Sequence, residues 1–116
     1  MSTRAKLQIR DQKVAVLNPP SGFDLDVPTS DQPDDAVLLF VRNRAELETL
    51  GEPFFRAARD DRLAWLAYPK AGQLGTDLSR DILRNTTRPR GVRPVRQVSI
   101  DQVWSALRFR PAQRRA

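Results

Sequence analysis

The chain has no cysteine and no histidine, and these two absences exclude many catalytic and metal-binding sites. Without cysteine there is no disulfide framework, no thiolate metal site and no cysteine nucleophile. Without histidine there is no serine triad of the usual kind and no imidazole to act as a general base. The composition therefore weighs against catalysis, and we expect neither a cofactor nor a metal ion.

A long apolar run is also missing. No stretch reaches the roughly 18 apolar residues of a transmembrane helix, and residues 1–10 lack the apolar stretch of a signal peptide. We therefore expect a cytoplasmic protein that does not contact a membrane. The 116 residues suffice for one domain, which we place at 13–111, after a flexible segment at 1–12 and before a basic tail at 112–116.

Positive charge is concentrated in the last third of the chain. Residues 1–83 carry 11 basic and 13 acidic side chains, a net charge of −2, whereas residues 84–116 carry nine arginines and one aspartate, a net charge of +8. A positive face of this kind attracts phosphate backbones or acidic partners. The alternative is a solvated arginine-rich surface without a partner, which is the more common meaning of a basic segment.

Apolar patterning predicts several strands. The run at 36–41 is continuously apolar, as in parallel strands that are covered on both faces, and 62–68 is a second strongly apolar strand. Residues 23–27 alternate between apolar side chains and aspartate, and 28–35 read as a loop. Further strands are predicted at 13–18, 92–100 and 103–110.

Two helices are predicted between these strands. Asn43 and Glu46 have the spacing of a capping box, which predicts a helix over 44–59. Gly51 and Pro53 should bend or break that helix. Thr76 is expected to cap the second helix, which Gly91 ends. Alternating strands and helices imply a mostly parallel sheet, and the close spacing of the last two strands permits an antiparallel pair.

Several short motifs support a family resemblance over about residues 36–111. They are YPK at 68–70, TDL with RD at 76–81, and PVRQV at 94–98 leading to WSALRFRP at 104–111. In these motifs the chain resembles a small, uncharacterised bacterial α/β family related to the methyltransferase-like Rossmann proteins. The resemblance implies an α/β fold: a compact three-layer, Rossmann-like, mostly parallel sheet with a C-terminal antiparallel strand pair.

The turn after the first strand departs from that family relationship. It reads NPPSG at 18–22 and lacks the G-x-G-x-x-G spacing that lets backbone amides approach a dinucleotide or adenosyl cofactor. Its two prolines also remove two amide donors. We therefore expect a degenerate cofactor site.

A glycine-bearing loop provides the first candidate site. Lys70, Gly72, Gly75 and Thr76 lie between a predicted strand and the predicted start of a helix, where backbone amides and the helix dipole can hold an anion. The alternative is a connection that only turns the chain and caps the helix. We favour this alternative, because no lysine follows Gly75 as a P-loop requires.

The last two strands provide a candidate nucleic-acid site. Trp104 is expected on one strand face with Arg108 and Arg110, where a ring beside guanidinium groups can stack a base and hold its phosphates. Arg93 and Arg96 complete this set. The alternative, which we favour for Trp104, is that its ring covers the sheet beneath the helix that contains Leu78 and Ile82. Asp101 would then offset Arg96 or Arg108 across the hairpin.

The sequence thus favours a non-catalytic α/β binding or interaction module. One alternative is a nucleic-acid-associated protein that uses the arginine-rich C-terminal third, and another is a diminished methyltransferase-like enzyme. A protein partner or a second copy of the chain is also considered, because a shortened sheet leaves a strand edge that another chain can cover.

Overall fold

The computed structural model describes residues 3–9, 13–23, 29–30 and 36–112 of the chain. These residues form one sheet with helices packed against it. In chain order the elements are α1 (Thr3–Lys6), β1 (Val14–Leu17), β2 (Thr29–Ser30), β3 (Ala36–Phe40), α2 (Arg44–Leu50), α3 (Glu52–Arg59), β4 (Leu63–Pro69), α4 (Arg80–Thr87), a 3₁₀ turn (Arg88–Arg90), β5 (Val92–Ser99) and β6 (Trp104–Pro111).

The sheet is mixed, with six strands among the described residues in the order β2-β1-β3-β4-β6-β5. The first four strands in this order are parallel, whereas β6 runs antiparallel to both β4 and β5. A tight turn causes the reversal, since the amides of Ile100 and Asp101 both donate to the Trp104 carbonyl, at 3.0 and 3.2 Å. The turn sends β6 back along β5, and β6 fills the space between β5 and β4.

The predicted three-layer, Rossmann-like arrangement is therefore wrong. The sheet is mixed because β6 runs antiparallel to both of its neighbours, β4 and β5, whereas the other paired strands are parallel. In the described residues α2, α3 and α4 also pack on a single face, which we call the helical face. The predicted antiparallel pair is present as β5 and β6.

The helical face holds the larger part of the core. Leu66 and Leu107, opposite each other on β4 and β6, and Phe109 on β6 project towards α3 and α4. Phe54 of α3 meets Phe109 edge to face with 5.3 Å between ring centroids. Burial of these large side chains fixes the helices on the sheet, at about 25 cal/mol for each Å² of apolar surface removed from water.

The opposite face, which we call the segment face, is covered by residues 3–9 and by Phe23. Leu7 is fully buried against this face, and the Trp65 indole donates to the Leu7 carbonyl at 2.9 Å. Phe23 contacts Phe40, which in turn contacts Trp104. Residues 3–9 thus occupy the place of a helix layer, although we predicted a flexible segment at 1–12.

The long predicted helix is divided in two, as expected from Gly51. The Asn43 side chain accepts from the Glu46 amide at 2.9 Å and so caps α2. A Cβ on Gly51 would collide with the Leu47 carbonyl and lie 2.8 Å from a Phe55 ring carbon, so only glycine fits where α2 gives way to α3.

The second helix begins later than predicted. Ser79 caps α4 by accepting from the Ile82 amide at 3.2 Å, and Gly91 follows the 3₁₀ turn with a φ of 85°. Thr76 is not a helix cap, because its hydroxyl accepts from the amide of Leu78, two residues on. The intervening residues place Ser79, rather than Thr76, in extended conformation directly before the first helical turn.

The remaining expectations agree in part with the structure. Strands β1, β3, β4, β5 and β6 lie within one residue of their predicted positions. Residues 24–27 of the predicted second strand, and Arg114 and Arg115 of the predicted tail, lie outside the described residues. Within the predicted loop at 28–35, Thr29–Ser30 form β2, and the rest of that loop is not among the described residues. In the ranges that the structure covers, no helix has the length and apolar character needed to cross a membrane.

Candidate functional site

The carboxyl ends of β1 and β3, where open α/β sheets bind ligands, are occupied by a side-chain network. Asn18 donates through its amide to the Phe40 carbonyl at 2.9 Å and to the Glu46 carboxylate at 3.3 Å. The same carboxylate accepts from the backbone amide and the guanidinium of Arg42, at 2.6 to 2.9 Å. The guanidinium lowers the pKa of Glu46, so the network stays charged at neutral pH.

The anion-binding candidate is an exposed turn that does not lead directly into a helix. Lys70 donates to the Ser99 hydroxyl at 2.7 Å, and Gly72 and Gly75 have positive φ angles beside open space. Because α4 begins at Arg80, its free amides and dipole do not act at Gly72 or Gly75. The structure therefore separates the glycines from the helix start on which that hypothesis depends.

Trp104 is placed in the core. It is 6% exposed and packs edge to face against Phe40 at 5.1 Å, on the segment face. The predicted contact with the helix of Leu78 and Ile82 is wrong, because α4 packs on the other face and Leu78 belongs to the other core. Asp101 pairs with neither Arg96 nor Arg108: its carboxylate accepts from the amides of Val103 and Trp104 and shapes the turn.

Four of the predicted arginines share one face of the β5–β6 hairpin because of a β-bulge. Arg93 is paired with Arg110 and Pro94 with Phe109, but the next pair is Arg96 with Arg108, so Val95 is an extra residue. In a regular strand, residues three apart point to opposite faces. The bulge cancels this alternation and puts Arg93 and Arg96 on the face of Arg108 and Arg110.

These four side chains, Arg93, Arg96, Arg108 and Arg110, are called the arginine quartet. Like charges directly opposite each other weaken an antiparallel pair, and two such pairs are adjacent here. A carboxylate, that of Asp61, offsets part of the charge through two bonds to Arg110 at 2.8 and 2.9 Å. These bonds lower the pKa of Asp61, so the carboxylate is ionised and the quartet keeps a net positive charge.

Arg108 is the least solvated member of the quartet. Burial lowers its pKa, and the neighbouring Arg110 and Arg96 lower it further. Its Nη1 donates to the Gln8 side chain at 3.1 Å, whereas its buried Nε has no hydrogen-bond partner in the described ranges. An anion on this face would relieve the repulsion between the quartet guanidinium groups.

A groove adjoins the quartet at the edge of the sheet. It has a volume of about 860 Å³ and is called the edge groove. Its lining consists of Arg59, Arg84, Arg88, Gly91, Val92, Arg93, Pro94, Pro111 and Ala112, and none of these is acidic. Arg93 therefore belongs to both the quartet and the groove.

The groove arginines differ in how they are held. Arg59 donates to the Glu52 carboxylate at 3.1 Å and to the Arg90 carbonyl at 3.0 Å, so it forms a fixed wall. Arg84, Arg88 and Arg93 are exposed and form no ion pair with any part of the chain that the structure covers. Three guanidinium groups are thus available to an anionic ligand.

Sequence reasoning identified the quartet arginines but not their common face or the groove. Proline inside a strand indicates an edge strand or a bulge, so Pro94 was a usable signal for the bulge that gives the quartet arginines a common face. Arg84 and Arg88, four apart on a helix, indicate one side of that helix. No signal connected Arg59 to this region, because it comes from a distant helix.

Comparison of the chain with protein-family models, with curated proteins and with solved structures found no match. The relationship to the methyltransferase-like family stays a prediction. Within the described ranges, no group of three or more acidic side chains lies close enough to hold a metal ion.

Proposed function

We propose that the protein is a non-catalytic binding module that holds nucleic acid by its phosphate backbone on the arginine quartet. The observation that carries this proposal is the bulge at Val95, which gathers Arg93 and Arg96 opposite Arg110 and Arg108. The repulsion among these guanidinium groups costs stability, and a phosphate backbone offsets it. Arginine suits this purpose because its planar fork binds phosphate oxygens in pairs.

The spacing of the quartet favours a ligand with several charges over one small anion. Arg108 and Arg110 are two residues apart on β6, so their Cα atoms lie about 7 Å apart along the strand. Arg93 and Arg96 repeat this separation on β5 with the bulged residue between them. A chain of phosphates can reach all these positions at once.

The proposal predicts binding that depends strongly on salt. If about three phosphates are neutralised on a duplex, the affinity should fall about 40-fold between about 50 and about 200 mM salt. We would measure this by fluorescence anisotropy with a labelled oligonucleotide of mixed sequence. No binding at the lowest salt concentration, where counterion release is most favourable, would refute the proposal.

Two double variants distinguish binding at the quartet from attraction by the net charge of the protein. Arg93→Gln with Arg96→Gln should weaken binding and reduce the salt slope by about one for each arginine removed. Arg44→Gln with Arg56→Gln is the matched control, since these exposed arginines lie on α2 and α3, outside the quartet. Equal losses in the two double variants would show that general charge attraction accounts for the binding.

A further inference from the structure

The edge groove combines an apolar floor with a cationic rim. Val92 is buried in the floor, and Pro94, Pro111 and Ala112 are half-buried beside it. The floor is rigid, since Val92 pairs with Pro111 and the Ala112 amide donates to the Gly91 carbonyl at 2.9 Å. A phosphate backbone alone would leave this apolar surface unfilled.

The rim places guanidinium groups around that floor. Arg84 and Arg88 are four residues apart, at the end of α4 and the start of the 3₁₀ turn, so they lie on the same side. Both also complement the negative end of the α4 dipole, but none of the lining residues that the structure describes supplies a carboxylate to pair with them. The groove thus suits a ligand with a flat apolar part and an adjoining negative charge.

An unpaired nucleotide has this combination. All eight aromatic side chains are buried or half-buried in the structure, so no exposed ring is available for a base. A base in the groove would instead lie on the apolar floor and beneath the planar guanidinium groups of the arginines, which stack on bases. In a duplex the bases are already paired and stacked, and the floor would stay empty.

We infer that the edge groove binds one unpaired nucleotide of a single strand whose neighbouring phosphates lie on the arginine quartet. The inference rests on the proposed function and names its ligand as single-stranded nucleic acid. Arg93 connects the two surfaces, because it faces Arg110 in the hairpin and also lines the groove. The bound nucleic-acid strand therefore passes over the edge of the sheet that β5 forms.

The test compares three probes with the same number of phosphates at low salt. They are a single-stranded oligonucleotide, an oligonucleotide made of abasic units, and a duplex. We expect the intact single strand to bind about fivefold to tenfold more tightly than the abasic strand, at the lower end of known base-stacking effects, and more tightly than the duplex. The observable is the ratio of the dissociation constants.

Two variants test which of the two surfaces, the edge groove or the arginine quartet, produces the preference for the intact strand. Arg84→Gln with Arg88→Gln should remove most of the preference for the intact strand, because the groove can no longer hold the base. Arg96→Gln is the comparison: it should weaken all three probes by a similar factor and leave the ratio unchanged.

The outcomes separate the inference from the proposed function. Equal binding of intact and abasic strands, or tighter binding of the duplex, would overturn the groove inference while the quartet proposal stands. Failure of all three probes to bind at low salt would overturn the proposed function itself. A preference for the intact strand that survives Arg84→Gln with Arg88→Gln would place the base elsewhere and overturn the inference.

Discussion

Replacing Leu7 with alanine should destabilise the protein strongly, because residues 3–9 cover the segment face of the sheet. Leu7 is fully buried among the side chains of that core. Deleting such a side chain costs about 2 to 5 kcal/mol, through lost burial and the cavity left behind. This is a large part of the roughly 5 to 15 kcal/mol that stabilises a typical domain, and it corresponds to a fall in Tm of roughly 8 to 20 °C.

Urea denaturation followed by tryptophan fluorescence measures this effect directly. Both tryptophans, Trp65 and Trp104, belong to the same core as Leu7. Leu74→Ala is the control, since Leu74 is 57% exposed and its truncation should change stability by about 0.5 kcal/mol or less. If Leu7→Ala unfolds at the same urea concentration as this control, with an unchanged slope, residues 3–9 do not cover the sheet.

Three further predictions concern the helices and the strand ends. Gly51→Ala should destabilise the chain by about 1 to 3 kcal/mol, because the added Cβ meets the Leu47 carbonyl and the Phe55 ring; a higher Tm in thermal denaturation would contradict this close contact. Ser79→Ala should cost about 1 kcal/mol by removing the α4 cap, and a larger loss in Thr76→Ala would place the helix start at Thr76 after all. The Glu46 carboxylate, whose pKa is lowered by Arg42, stabilises the fold above the unfolded-state pKa and loses this contribution as the pH falls through the folded-state value. The Tm of Glu46→Gln should therefore lie below that of the unaltered chain at pH 7 and approach it in acid, whereas a gap that does not change with pH would contradict the charged network.

The sequence predicted local structure better than strand pairing. The apolar run at 36–41 has one physical interpretation, since it is too short for a buried helix and is bounded by polar residues. Asn43 and Gly51 likewise act through their own backbone neighbours, so their roles are readable from spacing alone. The position of β6 is different, because its alternating side chains suit pairing with β4 and with β5 equally well. Only the packed sheet shows that both occur.

The covering of the segment face was missed for a related reason. Leu7 and Ile9 are two apolar residues in a polar stretch, and two residues do not establish a period. Leu7 and Ile9 are buried because they pack on the apolar sheet surface around Trp65, which forms only when distant strands assemble. The sequence near Leu7 therefore gives no indication of the surface that covers it.

The candidate site was predictable in its residue types but not in its geometry. A run of arginines in 84–116 indicates positive charge, yet regular alternation assigns Arg93 and Arg96 to opposite faces. The bulge reverses that assignment, and its presence depends on how β5 meets its partner. Trp104 was included because of its position beside Arg108, and burial removed it from the surface.

The place of β6 has a consequence for how the chain assembles during synthesis. β4 and β5 are made before β6, yet within the described sheet they are joined only through it. Until the ribosome has delivered β6, the nascent chain exposes an apolar flank of β4 and leaves β5 without a neighbour. Such unpaired edges invite aggregation, so the order of synthesis leaves the sheet open to wrong pairing until its last strand is complete.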